Sequence, residues 1–89
     1  MSIIVAVVGA GRMGSVIARR LPPDTKKIII DTVPAKASEL AEAVGGSWSV
    51  SLEQARDADL IALVVPASAV REILERLEVL VKKGAVILN

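Results

Sequence analysis

Gly9, Gly11 and Gly14 follow directly on the first apolar run of the chain, and that juxtaposition leaves few options for its first twenty residues. Ile3-Ile4-Val5-Ala6-Val7-Val8 is apolar without alternation. A strand of that kind is buried on both faces, so it sits inside a parallel sheet with helices on either side. After the glycines, Ser15–Leu21 carries Val16, Ile17 and Leu21 at helical spacing, and Pro22-Pro23-Asp24 stops it. Strand, glycine turn and helix in that order form the opening half of a βαβ unit.

The rest of the chain continues the alternation. Lys26–Asp31, with Ile28-Ile29-Ile30, predicts a second strand ending in a carboxylate. Pro34 suits the first turn of a helix over Ala35–Val44, whose Ala37, Leu40, Ala41 and Val44 share one face, and Gly45-Gly46 ends it. Ser47–Val50 reads as a short third strand, with Ser51 capping a helical segment that reaches Ala55 or Arg56. Leu60–Val65 is a fourth strand closed by Pro66. Ala67–Val81 is the longest helix, with Val70, Ile73, Leu74, Leu77 and Val81 facing inward and Glu72–Arg76 as an i,i+4 pair outside. Lys82-Lys83-Gly84 supplies the charge and the glycine of a helix C-terminus, and Ala85–Leu88 begins a fifth strand. Short connections between parallel strands impose right-handed crossovers. The expected fold is therefore α/β, a doubly wound parallel (Rossmann) sheet of five strands in order 3-2-1-4-5, in one domain over residues 1–89.

Composition removes most other chemistries. The chain has no Cys and no His, which takes away disulfides, thiolate nucleophiles and imidazole acid–base catalysis, and suits a reducing, cytoplasmic interior. Eleven Lys and Arg against ten Asp and Glu are interspersed, and Trp48 is the single aromatic residue, so no nucleic-acid surface is expected. The longest apolar runs fall far short of the ~20 residues of a membrane-crossing helix, and no membrane partner or signal peptide is expected.

Chemistry concentrates at the glycine turn. Gly9 permits the tight turn, Gly11 lets the backbone approach a pyrophosphate, and Gly14 lets the helix pack close to the strand. The unpaired amides of the helix N-terminus then face the anion. Asp31 stands twenty residues after Gly11 at the end of the second strand, where a carboxylate can hold both hydroxyls of an adenosine ribose. Its charge would repel a 2′-phosphate, so the expected cofactor is NAD rather than NADP. Arg12 reads equally as a phosphate contact or a solvated side chain, and Met13 as packing beside the ligand.

Gly9–Leu21, GAGRMGSVIARRL, resembles the N-terminal turn of the 6-phosphogluconate dehydrogenase-like, or β-hydroxyacid dehydrogenase-like, superfamily. Asp57–Asn89, DADLIALVVPASAVREILERLEVLVKKGAVILN, is similar to the same group, nearest in appearance to prephenate dehydrogenases. The resemblance implies that Gly9, Gly11, Arg12, Met13 and Gly14 form the pyrophosphate loop and that Asp31 with Thr32 contacts the adenosine ribose. It further implies that Val65, Pro66 and Ala67 lie along the cofactor, Val70 near the adenine and Asn89 near the nicotinamide. For Pro66 strand termination, and for Val70 core packing, explain the residue as well. Enzymes of the group carry a mostly helical second domain with substrate contacts and much of the catalytic machinery. The chain is therefore expected to be a truncated NAD(H)-binding domain of such a dehydrogenase, with no catalytic residues of its own.

Two other readings fit these residues: a regulatory nucleotide sensor of the kind that gates potassium transport, and a minimised or designed fragment of the fold. Without further sheet beyond it, Ala85–Leu88 would form an apolar edge, which predicts a homodimer through that strand, the Ala67–Val81 helix, or both.

Overall fold

In the computed structural model, which describes residues 3–89, five strands and three α-helices alternate along the chain. The strands are β1 (Ile4–Val8), β2 (Lys26–Ile30), β3 (Ser47–Ser49), β4 (Leu60–Leu63) and β5 (Val86–Leu88). The helices are α1 (Arg12–Arg20), α2 (Pro34–Val44) and α3 (Ala67–Leu80), and a single 3-10 turn, Leu52–Ala55, follows β3. All strand pairs are parallel and the sheet order is β3-β2-β1-β4-β5, as the alternation predicts.

The unbroken apolar run of β1 is used on both faces. Val5 and Val7 pack with Ile29, Ala18, Ala37, Leu40 and Ala41 beneath α1 and α2. Ala6 and Val8 pack with Ile30, Ile61, Leu63, Leu52 and Leu77 beneath α3 and the 3-10 turn. Val5, Val7, Ile29, Ile61 and Leu77 are fully buried. Each such side chain stabilises the fold by roughly 1.5–3 kcal/mol relative to an exposed one, so the central strand anchors both layers.

The helices depart from the sequence reading in three places. α1 starts at Arg12 rather than Ser15, so Gly14 lies inside its first turn. Its buried positions are Gly14 and Ala18, while Val16 faces solvent. At α2, Gly45 adopts the left-handed conformation (φ 74°) and its N–H bonds to the Ala41 carbonyl, as a C-terminal glycine should. At α3 no such cap forms. The helix ends at Leu80 with Val81 extended, and Gly84 (φ 90°) instead serves the turn in which the Ala85 N–H reaches the Lys82 carbonyl. The third departure is an ion pair: Arg71 faces Glu75 across 4.0 Å, and Glu72–Arg76 does not form. Both spacings are four residues, and the turn of the helix toward the sheet decides which pair is outermost.

Lys82 has a different partner. Its ammonium donates to Asp59 Oδ1 at 2.6 Å, and Asp59 Oδ2 accepts from the Ile4 N–H at 2.7 Å. Asp59 thus ties together the starts of β1 and β4 and the segment that follows α3. The bond from Ile4, and then the Lys82 ammonium, hold its carboxyl below the usual carboxylate range, while partial desolvation opposes them. A carboxyl whose folded pKa is depressed contributes stability above its unfolded value of ~3.9, and that contribution is lost as pH falls through the folded value. Asp59→Asn should therefore lower the melting temperature at pH 7. The gap between variant and parent should narrow as thermal melts are taken from pH 5 down toward pH 2.

Candidate functional site

The carboxyl ends of β1, β2 and β4 meet where the strand order reverses, between β1 and β4. Crossovers leave that point in opposite directions and open a crevice, the usual ligand position in a doubly wound sheet. A cleft of about 500 Å³ occupies it. Its walls include Val8 and Gly9 after β1, Ile30, Asp31, Thr32 and Val33 after β2, and Val64, Val65 and Pro66 after β4.

The glycine turn forms the floor, and its three glycines are there for three different reasons. Gly9 has φ 113°, and a Cβ on it would overlap the Val64 carbonyl. Its N–H bonds to the Ile30 carbonyl at 2.8 Å, so the turn is held between the ends of β2 and β4. Gly14 carries no unusual dihedral. It is required because a Cβ there would overlap the Gly9 carbonyl oxygen, which lies directly against the first turn of α1. Gly11 differs from both. Its φ of −79° is open to any residue, and a Cβ on it would meet nothing within 4 Å.

At Gly11 the amides of the α1 N-terminus open toward solvent. The first intrahelical bond is Ser15 N–H to the Gly11 carbonyl, at 2.9 Å. The preceding N–H groups therefore have no helical partner. No side chain caps this end and no residue of the first turn is acidic, so the amides of the first turn have no side-chain partner.

Asp31 is fixed by this same turn. Oδ2 accepts from the Ala10 N–H at 2.8 Å and Oδ1 from the Val33 N–H at 2.9 Å. An ionised carboxylate offers about four acceptor positions, so two remain for a ligand's hydroxyls. The bond to Ala10 crosses from the end of β2 to the glycine loop and makes the carboxylate part of the turn.

Of the residues singled out by sequence, Gly9, Gly11, Asp31, Thr32, Val65 and Pro66 line the cleft together. Gly14 lies buried beneath it. Arg12 and Met13 are exposed on the first turn of α1, and Ala67 opens α3; none of the three lines the cleft. Val70 packs against the α3 side of the core, and Asn89 stands exposed after β5, at the sheet edge beyond β4. The cleft also draws on residues that sequence reasoning missed: Lys36 on α2, Val50 and Leu52 around the 3-10 turn, and Ile73 and Arg76 on α3. The available signal was topological, because β3 is the neighbour of β2 and its following loop must reach the same end of the sheet.

Residues 4–88 match the model of the family described as NADP oxidoreductase coenzyme F420-dependent. No match is found among curated protein sequences. The fold is similar to that of Synechocystis arogenate dehydrogenase (TM-score 0.87, 22% identity, 96% of this chain and 31% of that one). It is also similar to prephenate dehydrogenase from A. aeolicus in complex with hydroxyphenyl propionate and NAD+ (TM-score 0.84, 22% identity, 96% and 32%). A third is 3-hydroxyacyl-CoA dehydrogenase from Archaeoglobus fulgidus (TM-score 0.80, 22% identity, 94% and 32%). The chain spans about a third of the length of each of these structures.

The glycines give a direct test of this geometry. Gly14→Ala and Gly9→Ala should each destabilise the fold by several kcal/mol through backbone overlap, of the order seen for severe core strain. Gly11→Ala should change stability by no more than about 1 kcal/mol, because its Cβ meets nothing and the weaker N-cap preference of alanine is partly offset by reduced unfolded-state freedom. Thermal melts followed by circular dichroism distinguish the three.

Proposed function

The chain belongs to the NADP oxidoreductase, coenzyme F420-dependent family, and on that premise we propose that its cleft binds a pyridine dinucleotide as the cofactor module of a dehydrogenase of the prephenate or β-hydroxyacid type. The observation that carries this reading is Gly11. Gly9 and Gly14 are demanded by contacts inside the protein, but nothing in the protein demands a glycine at position 11. A ligand brought against the backbone there supplies the missing reason.

In this reading the N–H groups at the start of α1 hold the pyrophosphate, and the free acceptor positions of Asp31 take the adenosine ribose hydroxyls. Arg12, Met13 and Gly14 belong to the phosphate loop, and Thr32 flanks the ribose. Val65, Pro66 and Ala67 lie along the cofactor, with Val70 toward the adenine and Asn89 toward the nicotinamide. When bound, the nicotinamide supplies the hydride chemistry of the dehydrogenases; the residues of this chain bind and orient it.

We propose further that NAD(H) is preferred to NADP(H). Asp31 is held by two backbone amides and cannot swing away, so a 2′-phosphate would meet a fixed negative charge. Lys36 and Arg76 line the same cleft, but among the described residues neither side chain is held by a hydrogen bond or ion pair, whereas the Asp31 carboxylate is anchored. Direct titration tests both statements. NADH should bind the parent chain more tightly than NADPH, and Gly11→Ala should weaken NADH at least tenfold without loss of fold. Tighter binding of NADPH would reject the preference, and unchanged affinity in folded Gly11→Ala would place the ligand elsewhere.

Association through the fifth strand is the remaining part of the proposal. Ile87 packs toward α3, so Val86 and Leu88 point to the opposite face, where they are 52% and 54% exposed. Met13 and Val16 are exposed on α1, the helix that lies on that same face. A second copy covering this apolar edge would make a homodimer. Sedimentation at high micromolar concentration should show a dimer in the parent chain and a monomer in a Val86→Lys, Leu88→Lys double variant.

A further inference from the structure

We propose that Arg76, two turns into α3, is the platform on which the adenine base stacks, and that it positions the adenosine end of the cofactor. This rests on the dinucleotide reading above. α3 presents Ala69, Ile73 and Arg76 to the cleft at i, i+4 and i+7, so one face of the helix forms a continuous wall. The other wall is aliphatic, with Val33 after β2 and Val50 and Leu52 beside the 3-10 turn. A purine base needs a flat, weakly hydrated partner, for which proteins use aromatic rings or the guanidinium plane of arginine. Trp48 is the only aromatic residue of the chain, and it does not line the cleft. Arg76 is the one residue of the lining whose side chain ends in a broad planar cation.

Arg76 is also free for the task. Among the described residues it enters no ion pair and no side-chain hydrogen bond, although Glu72 precedes it by one helical turn. Arg71, on the outer side of the same helix, is the arginine that pairs, with Glu75. An arginine that lines a cleft and leaves a neighbouring carboxylate unused is available to a ligand. Lys36 lines the cleft as well, but an ammonium is a compact, strongly hydrated point charge and offers no plane.

The test separates plane from charge and base from phosphate. Binding of NADH, NADPH, AMP and reduced nicotinamide mononucleotide is measured by calorimetry for the parent chain and for Arg76→Ala, Arg76→Lys and Arg71→Ala. Thermal melts confirm that each variant folds. Stacking predicts that Arg76→Ala and Arg76→Lys both weaken NADH and AMP roughly three- to thirtyfold, the span of a cation–π contact from exposed to desolvated. Nicotinamide mononucleotide, which lacks the base, should keep its affinity, and Arg71→Ala should match the parent with every ligand. Full affinity in Arg76→Lys would overturn the proposal, since charge alone would then suffice. A loss in Arg76→Ala more than tenfold larger for NADPH than for NADH would overturn it in favour of a phosphate contact, and an equal loss for the mononucleotide would do so in favour of a general effect on the cleft. A parent chain that binds AMP in an Arg76-dependent way but not NADH would instead reject the dinucleotide reading and leave the adenine platform standing.

Discussion

The first turn of α1 lies directly on the carbonyl of Gly9, with no space for a side chain between them. That approach fixes the direction in which α1 leaves β1, and with it the layer formed by Ala18 and α2 over Val5, Val7 and Ile29. It also fixes where the helix amides point. Had residue 14 carried a Cβ, the helix would have to lift from the strand end, and the free N–H groups would move away from the crevice between β1 and β4. Packing and binding geometry are therefore set by a single van der Waals contact.

Asp31 extends the same economy to the next strand. A carboxylate on a strand end is ordinarily free to rotate, and a ligand that uses it must order it first. Here the Ala10 and Val33 amides have already done so during folding. The glycine loop and the carboxylate are bonded to each other, so displacement of either is transmitted to the other. The rigidity also makes Asp31 a poor position from which to read the effect of charge alone, because removing its side chain opens the Ala10 amide as well.

Much of this was legible in the residues. The unbroken run Ile3–Val8 signalled a strand buried on both faces, and the alternation of strands with short helices gave the sheet order, because right-handed crossovers leave little choice. The spacing of Gly9, Gly11, Gly14 and Asp31 marked the cleft and separated Gly11 from the two structural glycines, but it did not reveal which atoms exclude a side chain there, the Val64 carbonyl at Gly9 and the Gly9 carbonyl at Gly14. Helix faces were harder to read. Glu72–Arg76 and Arg71–Glu75 have the same spacing, and only the rotation of α3 over Leu77 turns Arg76 into the cleft. Lys82 and Gly84 suit a helix C-terminus by composition, yet Asp59, twenty-three residues earlier, claims the lysine. Partners distant in sequence leave no periodic trace.

The central place of β1 bears on how the chain is made. Its neighbours are β2 and β4, and β4 lies some fifty residues further along. β2 is complete some thirty residues before β4, so at ribosomal rates of about 5–20 residues per second β1 is paired on one side for roughly 2–7 s before its other neighbour exists. During that interval Ala6 and Val8 lack Ile61, Leu63 and Leu77 to cover them, and the open side of β1 is an unpaired apolar strand edge. Of the three interior strands, the one that organises the finished sheet is thus the one that waits longest on the nascent chain for its second neighbour, with its apolar edge open to any factor that recognises extended apolar segments.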